Sequence, residues 1–595
     1  MTHTINERVG RLRSWMEENG FTAFVFPSSD PHNSEYVADH WKSREWISGF
    51  SGSAGTAVLT LEHAALWTDS RYFIAAEKEL NGTGFQLMKL RVEGTPSVSE
   101  WLASELSTYE RAVVGLDGNV NSFAEVAALE QELATKGNIT VRTHADPMAE
   151  LWTDRPVIPD NMVSLHPLEY SGESTSSKVS RVRKHLLDCG ADGLLVTALD
   201  EIAWVLNLRG SDVHCNPVFV SYLLISPENI TLYINNVKLP DDVKAYLMSE
   251  HIDVQAYKSV VEGLRLYAGK SLLVDMSSTN YSLATAVPFE KVCSGVSPIA
   301  SMKAVKNKVE QDGFRAAMLR DGVAVVKFLA WLKSAVEAGG QTEISLDERL
   351  TALRAEQPKF KGISFDTIVG YEAHGAIVHY EATPETDIPV QPHGLVLIDS
   401  GAQYLDGTTD ITRTIALGEL SEEQRRVYTL VLKGHIQLDR CRFPAGACGS
   451  QIDALARAPM WREGYNYMHG TGHGVGSYLN VHEGPHQIRM EWRPAPLQAG
   501  MTVTNEPGIY LEGKFGVRIE NTLLIVPAET TAFGDFLKFE TLTLAPIDTA
   551  PIVLEMLSTE EREWLNNYHH RVYESLSPYL EGNEKEWLRK ATLPI

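Results

Sequence analysis

The chain has 595 residues, 77 of them acidic and 53 basic, for a formal charge of −24 at neutral pH, and 44% are apolar. That length exceeds what one hydrophobic core serves, so roughly two to four globular domains are expected. A charge of this sign repels phosphate, which argues against nucleic acid or an anionic membrane surface as a partner.

Ile5, Val9, Leu12 and Met16 recur at helical spacing with charges between them, predicting an N-terminal amphipathic helix without the apolar run of a signal peptide. No window offers the ~18 uninterrupted apolar residues of a membrane helix. Cys189, Cys215, Cys293, Cys441 and Cys448 are odd in number, scattered and free of any CxxC pair. Neither a disulfide framework nor a cysteine zinc site is expected, and a reducing, cytoplasmic location is predicted.

The first half contains a repeat. RLRSWMEENGFTAFVFPSSD (11–30) lies over RVRKHLLDCGADGLLVTALD (181–200) at an offset of 170, and WISGFSGS (46–53) lies over WVLNLRGS (204–211) at an offset of 158. Each longer copy reads as an amphipathic helix, a glycine stop and a buried strand, predicting two tandem α/β domains of one design. The Pro-, Ser- and Gly-rich stretch PVIPDNMVSLHPLEYSGESTSSK between them reads as a linker.

A third region opens near Met302 with a long helix carrying Val309, Val323, Val326, Leu329 and Leu332, stopped by Gly339-Gly340, and a shorter helix in SLDERLTALRAE. From 360 to 530 the pattern changes to short strands with glycine turns, predicting an α+β domain of curved antiparallel strands. STEEREWLNNYHHRVYESLSPYL (558–580) is a further amphipathic helix, able to cap the domain or to enter an interface. The expected domains are 1–157, 158–301, 302–530 and a C-terminal extension, 531–595.

In VLIDSGAQYLDGTTDITRT (396–414) an apolar run ends on Asp399, and Asp410 follows after a turn signal, Asp406-Gly407. If those two residues form the loop, Leu405 pairs with Thr408 and Gln403 with Asp410, and Asp399 shares a face with Asp410. In that register the two acids are ~13 Å apart along the strand, so a bulge or another register must bring them together. An isolated pair would read as two solvated acids on a hairpin. This pair is not isolated, because Glu506 and Glu520 also sit at the edges of β-rich apolar stretches.

Four carboxylates buried together repel one another and lose hydration unless cations neutralise them. Two divalent ions balance Asp399, Asp410, Glu506 and Glu520, and His473 adds a fifth ligand. His469 and His473 have the spacing of a zinc-binding helix, but the glycines of HGTGHGVG (469–476) oppose a helix and point to closely approaching backbone.

GAIVHY, IDSGAQYLDGTTDITRT, HGTGHGVG, NEPGIY and VRIENT, in that order, resemble the motifs of the metallopeptidase clan that includes methionine aminopeptidase, prolidase and aminopeptidase P. The resemblance implies a pita-bread catalytic domain with metal ligands at Asp399, Asp410, His473, Glu506 and Glu520. Within the clan, SSDPHNSEYVADHWKSREWISGFSGSAGTAVLT, WTDSRYF, the tandem α/β domains and the tail resemble the three-domain Xaa-Pro aminopeptidases, with two creatinase-like N-terminal domains. Prolidases carry one such domain.

The resemblance implies hydrolysis of the bond between an N-terminal residue and a penultimate proline by a water that two metals share and acidify into hydroxide. It gives Glu506 a second role as proton acceptor, and assigns His379 and His482 to the intermediate and the substrate. His469 would line the site, Tyr510 and Arg518 would support the cluster, contact substrate and shuttle protons, and Arg71 would reach the substrate from the first domain. Oxygen-rich ligation with one imidazole suits Mn(II), and also admits Zn(II) or Co(II). Peptides with penultimate proline are the implied partners, and a homodimer the implied assembly. Two alternatives remain: a prolidase acting on Xaa-Pro dipeptides, and a non-catalytic pita-bread binding protein.

Overall fold

The helix-glycine-strand unit occurs twice. Helix Ile5–Asn19, N-capped by the Thr4 hydroxyl, stops at Gly20 and leads to strand Ala23–Pro27. Helix Thr175–Asp188 is followed by Gly190 and strand Gly193–Val196. Gly20 and Gly190 have φ of +71° and +76°, the left-handed turn that a side chain disfavours and that ends each helix.

The repeat extends to whole sheets. In the first, Ala23–Pro27 lies between antiparallel Thr56–Thr60 and parallel Ala112–Gly115. Ala64–Thr68 and Phe85–Lys89 extend one side, and Ile139–Arg142 extends the other. In the second, Gly193–Val196 lies between antiparallel Ser221–Ile225 and parallel Leu272–Val274. Ile230–Ile234 and Ile252–Gln255 extend one side, and Val292–Ser294 the other. Strand order and directions are the same in both sheets.

The computed structural model describes residues 4–595. The chain divides into two compact units, one ending at Leu165 and resuming over Ser174–Ile299, the other formed by His166–Glu173 with Ala300–Ile595. Part of the linker-like stretch packs with the second unit. The segment His166–Glu173, placed by composition between the repeats, belongs to the second unit: Asn307 Nδ2 donates to the Ser171 carbonyl, and the Lys359 ammonium lies 4.7 Å from the Tyr170 ring centre. The expected limit at 530 falls near the tip of a hairpin in which Asn521–Thr531 pairs with Gly534–Thr541, Thr531 opposite Gly534. Proline and glycine report an absence of regular structure, not where a segment docks.

In the second unit, Asn307 caps helix Lys308–Ala338, which is followed by helix Glu343–Ala355. Leu395–Ser400 is the centre of a three-stranded sheet with Ile368–Tyr371 and Ile411–Ala416. A second sheet contains Thr502–Asn505, Asn521–Thr531, Gly534–Thr541 and Arg442–Pro444. Helix Glu422–Asp439 buries Val427, Tyr428, Val431 and Ile436 in a core that also takes Leu565, Tyr568 and Val572 from helix Thr559–Leu576. Antiparallel sheets backed by helices agree with the α+β expectation for this region. Among the described residues, no helix is long and apolar enough to cross a membrane.

Candidate metal centre

Tyr404 pairs with Gly407 and Gln403 with Thr408, so the hairpin loop is Leu405-Asp406 and not Asp406-Gly407. The same register continues to Asp399 opposite Thr412. Asp410 is thus two residues from the partner of Asp399, ~7 Å along the strand, on the same face and without a bulge. The loop shifts because Asp406 is buried and held by Arg320 and Lys359, while Gly407 packs against helix residues Phe314 and Ala317.

Asn505 and Asn521 are the last paired residues of their ladder, so Glu506 and Glu520 come opposite each other where it opens. Alternation turns the two asparagines to one face and the two glutamates to the other. Thr412 Oγ1 donates to Glu520 Oε2 at 2.8 Å, tying this ladder to the hairpin of Asp399 and Asp410.

His473 lies in the short strand Gly472–Gly474, in agreement with the expectation against a helix. A Cβ at Gly472 would stand 1.9 Å from the Thr504 carbonyl oxygen, so only glycine lets this strand approach Thr502–Asn505. His473 Nε2 is 3.4 Å from Asp410 Oδ2 and 3.6 Å from Glu506 Oε1, and Nδ1 lies 2.9 Å from the Gly474 carbonyl. Ligand atoms of Asp410, His473 and Glu520 all lie within 4.8 Å of one another. His482 meets the His473 ring edge-to-face at 4.4 Å between centres.

Arg518 donates to Asp399 Oδ2 from Nε at 3.1 Å and Nη2 at 2.7 Å, and from Nη1 to the Tyr510 hydroxyl at 2.7 Å. Tyr510 in turn lies 2.8 Å from His469 Nε2. A polar chain therefore runs from Asp399 to His469. Arg518 Nη2 also reaches the Val378 carbonyl at 3.3 Å, next to the half-buried His379. Arg71 belongs to the first unit, where it forms a two-bond ion pair with Asp69.

Burial, reinforced by Asp410, Asp399 and Glu506, holds the Glu520 carboxyl well above the usual range. Burial pushes Glu506 up to about 7 against the opposing pull of His473 and Arg518. Asp399 is raised by burial, with Arg518 opposing and Asp410 adding to the shift. Burial opposes a charge on His473, but its bond to Asp410 and the field of Glu506 raise it to about 9. The cluster attracts positive charge.

Divalent cations fit this donor set. Asp399 Oδ1 is buried without a hydrogen-bond partner, three other ligand groups converge, and carboxylate oxygens with one imidazole suit first-row divalent ions.

Several supporting residues escaped sequence reading. Glu483, beside His482, is buried between Lys303 and Lys306. Arg457 is paired with Asp453 and donates from Nη2 to the His469 carbonyl at 2.9 Å. Glu343, fully buried, accepts from the Tyr371 amide and the Tyr380 hydroxyl, next to His379. The one local signal was the mirrored order Asn505-Glu506 and Glu520-Asn521.

Residues 312–527 match metallopeptidase family M24, and 535–595 match the C-terminal region of that peptidase family. Residues 8–146 and 154–310 each match a creatinase/prolidase N-terminal domain. Aminopeptidase P1 of Arabidopsis thaliana is 39% identical over 99% of this chain and 99% of its own length. The chain belongs to the Xaa-Pro aminopeptidase group of metallopeptidase family M24. Another relative in the group, Xaa-Pro aminopeptidase 1 of Dictyostelium discoideum, is 40% identical over 99% of this chain and 97% of its own. The X-prolyl aminopeptidase of Caenorhabditis elegans, described as a cytosolic enzyme with a di-nuclear active site, superposes with a TM-score of 0.95 at 35% identity, over all of both chains. An Xaa-Pro dipeptidase from Bacillus anthracis covers 64% of this chain and 100% of its own, with a TM-score of 0.53 at 25% identity. Two creatinase-like domains ahead of a pita-bread domain are the architecture of this chain.

Proposed function

We propose that this protein is a metalloaminopeptidase that releases the N-terminal residue from peptides whose second residue is proline. The observation that carries the reading is the convergence of Asp410, His473, Glu506 and Glu520 beside Asp399, whose free oxygen is buried. Full-length similarity to Xaa-Pro aminopeptidases supports the substrate, and the dipeptidase's shorter coverage disfavours the prolidase alternative.

Asp399, Asp410, His473, Glu506 and Glu520 would hold two divalent ions, with Mn(II) the preferred identity. Such ions acidify a water and polarise the scissile carbonyl when bound. Glu506 takes the proton of the attacking water and carries it to the proline nitrogen as that nitrogen leaves. His379 and His482 donate to the oxygen that gains charge and hold the substrate. Arg518 and Tyr510 orient Asp399 and His469 along the polar chain, and Arg71 contacts the substrate. The bond to proline is a tertiary amide without an N–H, so its recognition differs from that of ordinary peptide bonds.

We further propose domain limits of 1–157, 158–301, 302–530 and 531–595 for the functional parts, a cytoplasmic location and a homodimer. The test of the activity is a side-by-side assay on Xaa-Pro-Yaa peptides and Xaa-Pro dipeptides. Cleavage of the longer peptides is expected; cleavage of dipeptides alone would make the protein a prolidase.

A further inference from the structure

The strand faces that turn away from the proposed metal ligands are also polar. Arg413, one residue after Thr412, is 4% exposed, and its partners are neutral. Nη1 donates to the carbonyl oxygens of Glu520 at 2.6 Å and Thr412 at 3.0 Å, and Nη2 donates to Asn521 Oδ1 at 2.9 Å and Ala545 O at 2.8 Å. A buried guanidinium without a carboxylate partner is a poor device for stability alone, because an apolar side chain of similar volume avoids its desolvation. What it does here is grip the main chain of Glu520.

Arg413 is itself held from the C-terminal extension. Its Nη2 donates to the Tyr568 hydroxyl at 3.0 Å, and that hydroxyl bonds the Ala545 carbonyl at 2.8 Å. Beside it, His435 Nδ1 donates to the Asn505 carbonyl at 3.1 Å, while its Nε2 accepts from Asn521 Nδ2 at 3.1 Å. Glu506 and Glu520 are thereby fixed from behind by one network, the Arg413 guanidinium and its uncharged partners, that ends in helix Thr559–Leu576.

We infer that Tyr568 is a positioning residue for the metal centre, through which the C-terminal extension sets the placement of Glu520 by way of Arg413. The inference rests on the ligand assignment proposed above. Outer-shell partners of metal ligands are worth about tenfold or more in affinity.

The test is Tyr568→Phe in the full-length chain, stripped of metal and titrated with Mn(II) alone by calorimetry. The expected result is one ion bound about tenfold more weakly, with the circular dichroism spectrum unchanged. Arg413→Lys, which keeps the charge and loses the fork, is expected to give the same loss. Val572→Ala, buried on the same helix, is the structural control: it should lower the melting temperature of metal-free and metal-loaded protein alike and leave both affinities as they were. If Tyr568→Phe behaves like Val572→Ala, the coupling is overturned while the metal reading stands. If the wild-type protein binds no divalent ion, the metal reading itself is overturned.

Discussion

Arg518 spends two N–H groups on one oxygen of Asp399 and leaves the other oxygen buried with no hydrogen-bond partner. The guanidinium fixes the carboxylate's direction and balances part of its charge, while the second oxygen stays available to a cation. One residue pair thus does two jobs, structural and electrostatic.

Arg518→Ala would leave a buried carboxylate uncompensated. Metal-free protein is expected to lose about 3–5 kcal/mol in urea unfolding, the usual consequence of breaking a buried ion pair. Adding divalent metal should restore more stability to the variant than to the wild type.

Asp410→Ala and His473→Ala each remove a group from the cluster in which Asp410, His473 and Glu520 meet. Turnover of a proline-second peptide such as Arg-Pro-Pro is expected to vanish while circular dichroism shows the fold retained. Chelation of the wild-type protein should abolish turnover too, and restoring divalent metal should return it. Near-normal activity in metal-free buffer would sink the metal-dependent reading.

Glu483→Gln would leave Lys303 and Lys306 buried without their shared carboxylate. A loss of about 3–5 kcal/mol is expected in denaturant unfolding. Burial already lowers the Lys306 pKa, with Glu483 opposing that shift. In the variant Lys306 should lose its proton more readily, so part of the stability should return as pH rises. Turnover should also fall, because His482 is the neighbouring residue.

Alongside His435 and His486, whose pKa values burial lowers to about 3 and about 4, His569 contributes to the acid limb of stability. Burial first, and Arg413 second, push its pKa down to about 4, and its Nε2 accepts the Ile547 amide at 3.1 Å, which requires a neutral ring there. The unfolded chain titrates near 6.5, so between these values it binds the proton that the folded protein refuses. The contribution of His569 is full above that range and falls by about 1.4 kcal/mol per pH unit as pH drops from ~6.5 towards 4. His569→Gln should flatten the slope in urea melts taken from pH 7 to pH 4.

The repeat was legible because each copy carries its own helix period, glycine stop and apolar strand within about 20 residues. The acids at strand edges were legible for a related reason: a carboxylate in an apolar run conflicts with burial, whatever lies around it. Composition was a poorer guide at His166–Glu173, where the residue types of a linker dock onto the second unit.

Local pattern thus determined the elements, the unusual polarity of four strand ends and the demand for compensating charge. The tertiary structure alone decided the hairpin register, set by Arg320 and Lys359 on Asp406, and the grip of Tyr568, Arg413 and His435 on the backs of Glu506 and Glu520. An acid inside an apolar run is visible from one residue and its neighbours in sequence, and the cost of burying it follows from that alone. An ion pair or a shared hydrogen bond belongs to two segments that only the folded chain brings together.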